Sequence, residues 1–216
     1  MTQINGKTSH ISLNGLISET LKKNATHAAM TDMNSGLTLS YGELDSKISV
    51  IRGKLRDIGV KKGDRVVICG RNRSGWAATF LAAITYGAVA VPILSDFNPE
   101  TILHLIGHCG ATVVFIDDNL FKKIETSKVN PETFFVSLDT VLSLDSKPDN
   151  VIFEDSKDDL AVINYTSGSM GSSKGVMLSF GNLSSNAVYS ISNIPYLFPD
   201  EKGFPAGAGG LGVPSC

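Results

Sequence analysis

Residues 165–175 hold three Gly, four Ser, one Thr and one Lys in eleven positions. In order they are Tyr165, Thr166, Ser167, Gly168, Ser169, Met170, Gly171, Ser172, Ser173, Lys174 and Gly175. These residue types suit the binding of phosphate. Glycine lets backbone N–H groups turn toward an anion. Ser and Thr hydroxyls donate further hydrogen bonds, and Lys supplies a positive point charge. The order is not that of a Walker A loop, which requires Gly-Lys-[Ser/Thr], whereas Lys174 stands between Ser173 and Gly175. On composition alone the alternative is a flexible Ser/Gly surface loop.

Such a loop works only where regular elements hold its two ends. The apolar run 160–164 reads as a strand feeding the loop, and 176–178 opens a second regular element before a helix from Ser179. Upstream, Leu13–Lys23 reads as a helix with Leu13, Leu16, Ile17 and Leu21 on one face. Residues 28–33 and 37–39 flank the hairpin signal Asn34, Ser35, Gly36. Ser40 and Glu43 form a capping-box pattern. Leu44, Ile48, Ile51, Leu55 and Ile58 follow at helical spacing up to Gly59. Arg65–Cys69 is a strand, Ser74–Tyr86 a helix ended by Gly87, and 88–91 a strand stopped by Pro92. Asn98 and Pro99 open the next helix, 112–116 is a strand, 134–138 a further strand, and 143–159 a polar connection. Strands alternating with helices predict an α/β fold, a mostly parallel sheet with helices on both faces. Ligands of such sheets sit beyond the carboxyl ends of the strands, where the loop at 166–175 begins.

Two other constellations bear on chemistry. His104 and His108 share a helix face at a spacing that can hold Zn²⁺, but a third ligand and the Glu of a His-Glu-x-x-His site are absent, so a His-bearing helix face is the favoured reading. Asp117 and Asp118 end a strand; they could ligate Mg²⁺, and capping of the next helix is favoured.

The chain of 216 residues is 42% hydrophobic and 19% charged, with net charge −2, which suits one soluble globular domain and argues against nucleic acid as the main partner. Three cysteines without paired spacing fit a reducing compartment, with Cys69 and Cys109 as buried thiols. Residues 74–95 carry no charge over a span long enough for a bilayer. Gly87 and Pro92 interrupt it, and it reads as a buried helix followed by a buried strand rather than a transmembrane segment.

The ordered stretch from Tyr165 to Val176 resembles the signature Tyr-Thr-Ser-Gly-[Ser/Thr]-Thr-Gly-x-Pro-Lys-Gly-Val of the adenylate-forming enzymes, which include acyl-CoA synthetases, luciferases and the adenylation domains of peptide synthetases. Nine positions fit: Tyr165, Thr166, Ser167, Gly168, Ser169, Gly171, Lys174, Gly175 and Val176. Met170 stands where a hydroxyl residue is expected and removes one phosphate donor. Ser173 replaces Pro and leaves the loop less rigid. The run 39–44 is similar to the family's Leu-[Thr/Ser]-Tyr-x-Glu-Leu motif, and 87–92 to its Gly followed by a strand ending in Val-Pro.

The resemblance covers roughly residues 10 to 198. It implies a partial N-terminal domain of the adenylate-forming fold over 13–201, after a disordered stretch 1–12. It implies that Thr166, Ser167, Gly168, Ser169, Gly171, Lys174 and Gly175 hold the ATP β- and γ-phosphates. The intact enzyme would use ATP, Mg²⁺ and coenzyme A to activate a carboxylate, with N-terminal spacing most like the long-chain fatty acid type. Such an enzyme would be cytoplasmic and without a transmembrane segment, with peripheral membrane contact compatible with that reading. The family's later motifs, Leu-Pro-x-x-His, aromatic-Gly-x-Thr-Glu, Thr-Gly-Asp and a C-terminal Lys, are absent, so this chain is expected to be inactive in catalysis. The alternative is a truncated nucleotide-binding module. Residues 203–216 hold five Gly and two Pro and no charge; the abrupt change near 202 predicts a lost reading frame, with a natural Gly-rich end as the alternative.

Overall fold

A computed structural model describes residues 11–33, 35–166 and 174–193. The stretch 1–10, the loop interior 167–173 and the Gly-rich tail 202–216, on which several sequence expectations fall, lie outside the described residues.

Helix α1 (Leu13–Lys23) starts at Ser12, whose side chain accepts from the Gly15 N–H. The hairpin β1 (Ala28–Thr31) and β2 (Thr38–Ser40) forms a small antiparallel sheet. Ser40 and Glu43 make the expected capping box at the start of α2 (Tyr41–Ile58), and Gly59 ends that helix in the left-handed region. Then follow β3 (Arg65–Cys69), α3 (Ser74–Tyr86), β4 (Val89–Ile93), α4 (Pro99–Cys109), β5 (Ala111–Ile116) and the short α5 (Asp118–Phe121). β6 (Phe134–Ser137), β7 (Leu160–Thr166), β8 (Lys174–Ser179) and α6 (Phe180–Asn193) complete the described chain.

The main sheet has the order β6-β5-β3-β4-β7-β8. Every pairing is parallel except β7 with β8. Pro92 does not stop β4: it lies within the strand opposite Ile68. The one recorded pairing of β4 with β7, Ala90 with Val162, is upstream of it. The uncharged span 74–95 divides into α3 and β4 as expected, and among the described residues no helix is long and apolar enough to cross a membrane.

Alternation along each strand builds two cores, one per face of the sheet. Val66, Ile68, Ala90, Val113 and Phe115 pack with α1, α2, α3 and the start of α6. Val67, Cys69, Val91, Ile93, Val114 and Ile116 pack with Ile102, Leu105 and Ile106 of α4. Each fully buried Ile, Leu or Phe here contributes about 1.5–3 kcal/mol.

The polar tract 143–159 has one short 3₁₀ turn at its start and no strand or α-helix, yet it is tied down throughout. Arg52, 2% exposed, donates from Nε to the Asp149 carbonyl at 2.9 Å and from Nη1 to Thr85 Oγ1 at 3.1 Å. Asn14 donates to the Ile84 and Phe153 carbonyls. The Asp155 carboxylate accepts from Ser12 Oγ and from the Leu13 and Asn14 N–H groups. A side chain at Gly53 would sit 2.1 Å from the Lys147 carbonyl oxygen, so only glycine lets the tract cross α2 there.

Candidate functional site

Strand β7 runs parallel to β4 and β8 returns antiparallel, so β7 ends and β8 begins side by side at the carboxyl end of a parallel strand. Thr166 pairs with Lys174, Tyr165 with Gly175 and Asn164 with Val176. Because side chains alternate along a strand and cross-strand partners share a face, Asn164, Thr166 and Lys174 lie on one face of the hairpin and Tyr165 on the other. Thr166 and Lys174 are exposed. A residue with a hydroxyl and a residue with an ammonium group are therefore cross-strand partners where β7 ends and β8 begins; both groups can bind an anion. Of the seven predicted site residues, Thr166, Lys174 and Gly175 are placed together here; Ser167, Gly168, Ser169 and Gly171 lie outside the described residues.

The opposite face of the hairpin is anchored. Tyr165 is 6% exposed and packs in the α4-side core. Its hydroxyl shares a 2.7 Å hydrogen bond with His108 Nδ1, and the two rings meet edge to face at 5.7 Å. Burial, and after it the neighbouring Cys109, pushes the Tyr165 phenol above its ordinary value, so the hydroxyl keeps its proton at neutral pH. The end of α4 is itself held: Arg65 donates to the Cys109 carbonyl at 2.9 Å and to the Gly110 carbonyl at 2.8 Å. Among the described residues no group of three or more His, Cys, Asp or Glu gathers as a metal site. His104 lies 5.9 Å from His108, ring to ring, and the role His108 plays at Tyr165 had no signal in the sequence. Burial raises the Cys69 thiol to about 12 and the partly exposed Cys109 thiol to about 11, which leaves both protonated and unreactive near neutrality.

Beside the hairpin the sheet reverses direction. From β3 the chain steps through α3 to β4, then returns through α4 across β3 to β5. The crevice beyond β3 and β4 is the place where open α/β sheets take ligands. A cleft of about 320 Å³ lies there, bordered by Arg71, Asn72, Trp76, Leu94, Asp96 and Asn164. Asn164 connects it to the loop face of the hairpin. The sequence places the ligand side at the strand ends but singles out none of these six residues, because only the strand order shows where the reversal falls.

The neighbouring carboxylates are structural. Asp117 was expected to cap α5, but its side chain makes no cap bond. It accepts instead from the Arg71 N–H at 3.0 Å. Asp139, from beyond β6, takes the Asp118 N–H at 2.8 Å and pairs with Arg73 at 2.7 Å. The turn at Gly70 brings the chain so close that a Cβ there would lie 2.5 Å from Asp117 Oδ1. That closeness favours the backbone contact over capping.

Residues 17–202 match the family described as AMP-binding enzyme. Among curated relatives, a feruloyl-CoA synthase of Amycolatopsis is 30% identical over 155 residues, covering 72% of this chain and 31% of the relative. A Mycobacterium tuberculosis fatty acyl CoA synthetase superposes with a TM-score of 0.71 at 18% identity, over 83% of this chain and 37% of that one. The anthranilate CoA ligase AuaEII, solved with anthranoyl-AMP, superposes with a TM-score of 0.76 at 16% identity, over 89% of this chain and 38% of that one. The chain thus spans about a third of the length of these relatives.

Proposed function

This chain belongs to the AMP-binding, adenylate-forming enzyme family, and from that premise we propose that the full-length enzyme activates a long-chain fatty acid with ATP and passes the acyl group to coenzyme A. The carboxylate oxygen attacks the α-phosphorus, pyrophosphate leaves, and the thiol of coenzyme A then displaces AMP. In this reading Thr166, Ser167, Gly168, Ser169, Gly171, Lys174 and Gly175 cradle the β- and γ-phosphates and neutralise charge as pyrophosphate departs. Mg²⁺ would add positive charge at the same phosphates. The observation that carries the proposal is the pairing of Thr166 with Lys174 at the carboxyl end of a parallel strand.

The long-chain assignment draws on the spacing of the N-terminal motifs. The relatives named above include a fatty acyl CoA synthetase, a feruloyl-CoA synthase and an anthranilate CoA ligase. A cytoplasmic setting, without a membrane span and with any bilayer contact peripheral, is the one we infer; the free thiols Cys69 and Cys109 support it.

For the 216 residues themselves we propose nucleotide binding without catalysis, since they span about a third of the curated relative's length. Equilibrium dialysis with labelled ATP tests this. Saturable binding is expected, about tenfold weaker in Lys174→Ala, which corresponds to about 1.4 kcal/mol. No ATP–pyrophosphate exchange above a protein-free blank is expected with a long-chain fatty acid present. Absence of ATP binding would overturn the phosphate-loop reading; exchange would overturn the division between this chain and the full-length enzyme.

A further inference from the structure

We propose that His108 is a positioning residue for the nucleotide phosphates, acting through its hydrogen bond to Tyr165; this rests on the reading of 166–175 as the phosphate loop. The loop has two stems, Thr166 on β7 and Lys174 on β8, and each adjoins a residue of one buried contact. Tyr165 precedes Thr166, and Gly175 follows Lys174 and faces Tyr165 across the hairpin. With Ile163, the Tyr165 ring packs directly against Gly175, 3.2 Å from where a Cβ there would lie, so a shift of that ring bears on both stems.

What fixes the ring is outside the hairpin. Its hydroxyl is bound to His108 Nδ1 at 2.7 Å, and the imidazole edge lies against the phenol ring. His108 in turn is held by the last turn of α4, whose Cys109 and Gly110 carbonyls are clamped by Arg65 from the first residue of β3. A chain of contacts therefore runs from the sheet interior through α4 to the loop stems. Without the imidazole, the hydroxyl of Tyr165, a residue only 6% exposed, would lose its partner, and the ring would be free to lean toward Gly175. Neither residue touches phosphate in this arrangement; the effect is on placement.

The test uses His108→Ala, His108→Asn and Tyr165→Phe in the whole 216-residue chain. Asn places an amide atom near the position of Nδ1 and preserves the bond. Two quantities are read: hydrogen exchange of the peptide covering 165–175 without nucleotide, and the dissociation constant for ATP. His108→Ala and Tyr165→Phe are expected to speed exchange and weaken ATP binding by about threefold to tenfold each. The double variant should be no worse than either single one, because both remove the same bond. His108→Asn should restore both readouts, which a loss of general packing would not allow. Unchanged exchange in His108→Ala overturns the tie itself. If exchange responds while the unaltered chain binds no ATP, the phosphate reading fails and the positioning role fails with it.

Discussion

Tyr165 on β7 and Gly175 on β8 face each other across the hairpin, and a Cβ at Gly175 would lie 3.2 Å from Tyr165 Cε1 and 3.1 Å from Ile163 Cγ2. The first residue of the loop signature and the glycine near its end are thus one packing unit. Gly175→Ala must displace the tyrosine ring or bend β8. The expected outcome is a loss of about 1–2 kcal/mol by urea unfolding together with weaker ATP binding. Native stability in that variant would show that the ring yields freely.

The Asp155 carboxylate closes the start of α1 from a position 143 residues beyond Ser12. It accepts from Ser12 Oγ at 2.5 Å and from the Leu13 and Asn14 N–H groups at 3.1 Å each, and it is 6% exposed. Asp155→Ala leaves buried helix donors without their acceptor, and about 2 kcal/mol of stability should be lost. Thermal unfolding measures it, with Asp155→Asn expected to lose less.

Acid should act through Asp139. The Asp118 N–H, and after it Arg73, hold this carboxyl below its ordinary 3.8. Its folded value lies below its unfolded value, so its contribution is present above about pH 4 and is lost as the pH falls through the lower, folded value. Asp139→Asn should be less stable than the unaltered chain by about 1 kcal/mol at pH 6. Urea titrations from pH 6 to pH 3 should show that gap closing; a gap independent of pH would exclude the charge as its source.

Among the described residues strand β8 is the last in the sheet order, and it carries Val176 and Met177 exposed. It has no Pro, and its one charged residue is Lys174 at its first position. The ladder it forms with β7 has one register shift, between Leu160 and Val162, beyond the pairs that Val176 and Met177 make; an edge without Pro or an inward charge there invites pairing with another strand. Sedimentation velocity on the 216-residue chain is expected to show association that grows with concentration. Met177→Lys should shift it toward monomer, and identical behaviour of the two proteins would rule out this edge.

Local chemistry made most of the elements readable from the sequence. The capping box at Ser40, the glycines at 59 and 87, Asn98 before Pro99 and the short apolar runs at 65–69 and 112–116 are short-range signals, and each produced the element it specifies. Membership of the AMP-binding enzymes was equally legible, because the signature from Tyr165 to Val176 is continuous in the chain. What the sequence could not contain is which distant groups meet. Strand order β6-β5-β3-β4-β7-β8 depends on how apolar faces pack, so the cleft beside Arg71, Trp76 and Asn164 emerges only in three dimensions. Asp117 is turned from a cap into a backbone acceptor by a loop at Gly70, and 143–159 is a bound tract rather than a loose link because Arg52, Asn14 and α1 each find partners in it. His108 reads as one more polar residue on a helix until α4 packs on the sheet and brings it to Tyr165. Sequence periodicity encodes the face a side chain takes; the partner waiting on that face is decided by the packing of the whole sheet.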